Sequence, residues 1–228
     1  MLRISLLLIV FIFNINLFGQ GFGFGYLYNY SISNYKEIAS DFYSQKGTAM
    51  CHNGFVRYHN DDGWNAIQMQ VGYKKEKVSF TNDSEYIALS EGANANYNIS
   101  DSINIKSIRF QLIDHIQIGD IGTDVDEQLL SINGGLYYEY VTNIERFDDR
   151  YKIDKAVFSS CFGFMVGFEY RVGLFTFGIR YENSLSDLLN RDYINNLIPQ
   201  LNDASELRGL RMDPAYLTFY MGINFDFW

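Results

Sequence analysis

The clearest pattern lies at the C-terminal end, where apolar and polar residues alternate without a break. Leu217, Phe219, Met221, Ile223, Phe225 and Phe227 form one row; Tyr216, Thr218, Tyr220, Gly222, Asn224 and Asp226 form the other. A period of two is that of a β-strand, because successive side chains point to opposite faces. Six more segments alternate clearly: 21–32, 64–73, 105–118, 129–141, 157–170 and 174–183. An eighth, 77–89, alternates less regularly. Each is near or above the ~9–11 residues that a tilted strand needs to cross a membrane.

The connections carry a second signal. Long stretches at 33–63, 90–104, 142–156 and 184–213 alternate with shorter ones at 74–76, 119–128 and 171–173. Outer-membrane barrels combine short periplasmic turns with longer outer loops, and an even strand count puts both chain ends on the periplasmic side. The expected fold is therefore all-β: an eight-stranded antiparallel transmembrane up-and-down barrel. Residues 184–198 carry apolar positions at helical spacing and stop before Pro199, which predicts a short helix over the barrel mouth.

Residues 1–19 open with Arg3, run apolar from Ile4 to Phe13 and reach Gly19, the form of an export leader. Cleavage is expected near Gly19/Gln20, leaving 20–228 as the barrel domain. Composition agrees with long strands: 18 Tyr and 19 Phe, but only 2 Pro, among 228 residues. Proline cannot donate to a β-ladder, so central strands exclude it. The formal net charge of −9 excludes a nucleic-acid partner, which calls for basic patches. The expected partners are outer-membrane lipid, the barrel-assembly machinery and another envelope protein.

Several segments now resemble PorT-like small outer-membrane barrels. Residues 104–113 resemble their fourth strand and the run Gly134-Gly-Leu-Tyr-Tyr-Glu-Tyr140 their fifth. The runs 162–170 and 175–184, with the turn at 171–173, resemble the sixth and seventh. The resemblance implies an eight-stranded barrel in the outer membrane of a Gram-negative cell, and no single activity. One match sits out of place: Tyr43-Ser-Gln-Lys-Gly47 resembles the end of the family's third strand, which puts strands two and three earlier than the alternation does.

An eight-stranded barrel has an interior that side chains fill. Arg109, Glu139, Glu169, Arg180 and Glu182 fall on the inward rows, where charges must be paired. Their expected role is an ion-pair plug. The row Leu217, Phe219, Met221, Ile223, Phe225 and Phe227 is expected to face lipid, with Trp228 one residue past it in the inward phase. Asp114 falls in the lipid-facing phase, where a carboxylate is unfavourable unless a bulge or the interface relieves it.

Cys51, in the first long loop, and Cys161 both fall on the outer side, so a disulfide between them is one expectation and two free thiols the other. No metal site is expected: Cys51, His52 and His59 lack a spaced ligand pair. No cofactor is expected. The leading function is a structural or interaction protein acting through its outer loops. The alternative is a lipid-modifying enzyme drawing on the first-loop residues Ser44, His52, His59, Asp61 and Asp62. A third reading, a soluble exported barrel with an apolar ligand inside, requires the apolar rows to point inward.

Overall fold

The computed structural model describes residues 19–36, 43–60, 65–82, 99–120, 128–146, 158–188, 190, 192 and 213–227. Residues 1–18 of the expected leader and Trp228 lie outside them. Eight strands form a closed barrel in which each pairs with its sequence neighbours and β8 with β1. They are β1 (Gly19–Lys36), β2 (Tyr43–Asn60), β3 (Asn65–Asn82), β4 (Ile99–Asp120), β5 (Gln128–Arg146), β6 (Cys161–Val172), β7 (Phe175–Ser184) and β8 (Asp213–Phe227). All pairings are antiparallel.

The register measures the barrel. Phe22 pairs with Tyr58, then Ile67, Asp114, Gly134, Val166, Tyr181 and Leu217. Leu217 pairs with Ile32, ten residues beyond the starting Phe22. A shear of ten over eight strands, at ordinary strand spacing and rise, tilts the strands by about 40°. The interior is then narrow enough to be filled by side chains.

Two strands differ from the alternation. β2 occupies the middle of the expected 33–63 loop, and β3 runs straight through the turn expected at 74–76. The out-of-place match at residues 43–47 lies at the start of β2. The physical reason is visible in the run Lys74-Lys75-Glu76-Lys77, four charges that read as a turn. Lys74 and Glu76 point inward and pair at 2.8 Å, while Lys75 and Lys77 point out. In β2 the inward row (Gly47, Ala49, Cys51, Asn53) is small and the outward row starts polar (Lys46, Thr48), so polarity hardly alternates.

The strand count stays even, so the connections keep their phase. Residues 61–64, 121–127 and 173–174 close one end; 37–42, 83–98, 147–160 and 185–212 connect strands at the other. The tightest turn puts Gly173 at φ +52° in the first of its two central positions, with Leu174 at negative φ. That is the II′ arrangement, which suits the right-handed twist of a hairpin. Of the segment expected to form a helix, residues 185, 186 and 188 form bends and Asp192 is helical; most of the rest lies outside the described residues.

Outward side chains form an apolar belt, interrupted on β4 by Asp114. On β4 it runs from Ile108 to Ile118, eleven residues, or about 25 Å of height at a tilt of ~40°. Phe219, Ile223 and Phe225 are more than 40% exposed on the outside of β8, and Phe227 is 58% exposed. Leu217 and Met221 share that outward row. The apolar-interior barrel is thereby excluded. Asp114 stays in the belt, opposite Ile67 and Gly134; the irregularities in β4 lie at Lys106/Ser107 and Gln117/Gly119 and do not turn it inward.

Candidate functional site

The interior is the chemically distinctive part, and glycine makes room for it. Three inward glycines lie directly across the ladder from large inward rings: Gly25 from Phe55, Gly163 from Tyr137 and Gly178 from Tyr220. A Cβ on any of them would come within 2.5 Å of its partner ring. The rings therefore lie flat across the missing side chains and form shelves for the charged groups.

One set of charges sits in the half of the lumen away from the chain termini. Lys74 lies 3.0 Å from both carboxylate oxygens of Glu139 and 2.8 Å from Glu76. It also donates to the Tyr216 hydroxyl at 2.8 Å. Arg109 lies over the Tyr137 ring at 3.9 Å, reaches Glu182 with Nη1 at 2.6 Å and stands 3.7 Å from Glu139. Ser107 donates to Glu139 at 2.7 Å. Two cations here face three carboxylates.

A second set lies nearer the end that carries the chain termini. Arg57 donates to Glu169 and to Gln68, each at 2.7 Å. Arg180 lies over the Tyr220 ring at 4.2 Å and donates to Gln111 at 3.1 Å. His115 stands 3.7 Å from Glu169, beyond hydrogen-bond reach. At the rim Arg171 pairs with Asp226, which also meets His59 at 3.1 Å.

Taken together, the inward cations Arg57, Lys74, Arg109, Arg171 and Arg180 face Glu76, Glu139, Glu169, Glu182 and Asp226. Five balance five. A buried charge left single is very costly, so this neutrality is a condition of folding. Of the residues singled out in the sequence, Arg109, Glu139 and Glu182 meet one another. Glu169 and Arg180 belong to the other set, where Glu169 takes Arg57 as partner. Arg57, Lys74, Glu76, Arg171 and Asp226 were missed; the signal that reveals most of them is the inward phase of β2 and β3.

The outer end of the lumen is apolar. Val78, Ile103, Ile105, Val141 and Cys161 form a buried cluster that Leu188 closes from above at 2% exposure. Backbone bonds hold Leu188 there, with Ser159 N donating to Leu188 O and Leu185 N to Phe162 O, both at 2.8 Å. Among the described residues, buried side chains line the lumen from His59 near one rim to Leu188 near the other.

The other sequence candidates separate. Cys51 and Cys161 are free and buried, so the expected disulfide is not formed; Cys51 lies on a strand and donates to Asn53, while Cys161 meets Ser184 at 3.0 Å. His52 faces outward against the Tyr26 hydroxyl and His59 faces inward. Seven residues apart on one strand, they are on opposite sides of the wall, and the stretch that was to hold them is no loop. The Ser44 side chain, Asp61 and Asp62 lie outside the described residues. Among the described residues no group of three or more His, Cys, Asp or Glu side chains is placed to hold a metal.

No family model and no curated protein sequence matches the chain. Among solved structures it is similar to the attachment invasion locus protein Ail of Yersinia pestis, at 11% identity and a TM-score of 0.36, over 89% of this chain and 98% of that one. It is also similar to the translocator domain of the autotransporter NalP from Neisseria meningitidis, at 7% identity and a TM-score of 0.37, over 93% and 90%.

Proposed function

We propose that this protein is a small barrel of the Gram-negative outer membrane. In this reading residues 1–19 are an export leader and 20–228 insert with the help of the barrel-assembly machinery. The observation that carries it is the inversion of a soluble barrel: a closed sheet with a belt of exposed apolar side chains outside and charges inside. Every ladder bond is made within the closed sheet, the condition for a β-structure to lie in hydrocarbon. The pattern at 104–113, 134–140 and 162–184 supports placing it among PorT-like barrels.

Its role is structural or interactive. The charge-lined lumen is read as a structural plug, and the longer connections all leave the outer end. Those connections would meet another envelope protein. The lipid-modifying alternative draws no support from the split of His52 and His59. The test is cell fractionation with a heated and unheated gel. The protein should follow the outer membrane, migrate faster unheated, and begin near Gln20 on N-terminal sequencing. Recovery as a soluble periplasmic protein would refute the assignment.

A further inference from the structure

Directly above the apolar belt, on the outside of β2, β3 and β4, the outward row changes abruptly to lysine. On β3 it passes from Tyr73 to Lys75 and Lys77, on β4 from Ile108 to Lys106, and β2 adds Lys46. The ladder sets Lys75 opposite Lys106 and Lys46 beside Lys77, as Lys46 pairs with Ser79 and Thr48 with Lys77. Like charges directly opposite on one sheet face are unfavourable. Glu145 of β5 pairs with Lys106 and accepts from Asn143, so a single carboxylate answers the facing Lys75–Lys106 pair. The lysines stand on a chain whose net charge is −9.

The geometry points to a binding site for a phosphate-bearing lipid of the outer leaflet. The site takes its headgroup phosphates between Lys75, Lys106, Lys77 and Lys46 and lays its acyl chains down the Tyr73–Ile108 pair. Lysine ammoniums act as point charges for phosphate. Their height is that of the headgroups, one side-chain step above residues that face hydrocarbon. Lys75 Nζ already leans over the Tyr73 ring at 5.8 Å, which keeps its stem along apolar surface and its charge above it. Bound phosphate would neutralise the Lys75–Lys106 repulsion, and that repulsion is the reason the ligand is anionic.

The inference rests on the membrane-spanning reading. The test uses the full-length mature chain in nanodiscs of zwitterionic lipid, read by native mass spectrometry. The probes are a diphosphorylated glucosamine-disaccharide glycolipid and its dephosphorylated form. The diphosphorylated form should bind about tenfold more tightly, a difference of ~1.4 kcal/mol. Lys75→Gln with Lys106→Gln should abolish that preference, and Lys75→Arg with Lys106→Arg should keep it. Lys75→Glu should abolish it while raising the melting temperature, because it turns a like pair into an opposite one. Equal binding of the two probes, or an unaltered preference in the Gln variant, overturns the site. Full displacement of the glycolipid by millimolar inorganic phosphate overturns its lipid character. Failure to enter nanodiscs at all defeats the membrane reading itself.

Discussion

Lys74 and Glu139 meet with Nζ 3.0 Å from both carboxylate oxygens, although β4 lies between their strands. The contact passes over the inner face of β4 rather than along one ladder. Lys74 also serves Glu76 and Tyr216, so one ammonium ties together β3, β5 and β8.

Lys74→Met should therefore destabilise the folded barrel by about 3–5 kcal/mol, since it leaves two buried carboxylates short of a cation. Adding Glu76→Gln removes one of those charges, keeps an acceptor for the Tyr216 hydroxyl and should recover most of the loss. Urea unfolding in detergent micelles measures both. A single variant within about 1 kcal/mol of the native protein would contradict the pairing.

The Gly178–Tyr220 pair allows a packing test. All three nearest neighbours of a Cβ on Gly178 are atoms of the Tyr220 side chain. Gly178→Ala should cost about 1–3 kcal/mol by displacing a ring whose hydroxyl accepts from Asn133 at 2.9 Å. In a Tyr220→Leu background the same replacement should cost almost nothing more. Additive losses in the double-mutant cycle would refute the ring-on-glycine contact.

The belt should show depth dependence on one strand. Met221 lies midway along the outward row of β8 and Phe227 at its end. Met221→Arg should cost about 2–4 kcal/mol in lipid vesicles and Phe227→Arg no more than ~1. Similar costs at both positions would show the belt to be misplaced.

Where one face of a strand is apolar and the other lines a polar interior, the residue pattern was enough. Six of the strands, the antiparallel order, the inward phase of Arg109, Glu139, Glu169, Arg180 and Glu182, and the outward phase of Phe227 were legible for that reason. β2 and β3 were not, because their outer halves rise above the belt. There both faces are polar or small, and Lys46 or Lys75 outside looks no different from Lys74 inside.

What the chain alone determined was thus the class of barrel, the even count that places the longer connections together, and the face of each regularly alternating residue. Only the tertiary structure decided the partners. A shear of ten residues sets which strands look at each other across the lumen, and that offset arises from closing the sheet, with no local trace in the chain. It joins Arg57 to Glu169 and keeps Cys51 from Cys161, while the β3–β4–β5 register brings Lys74 to Glu139 and Lys75 face to face with Lys106.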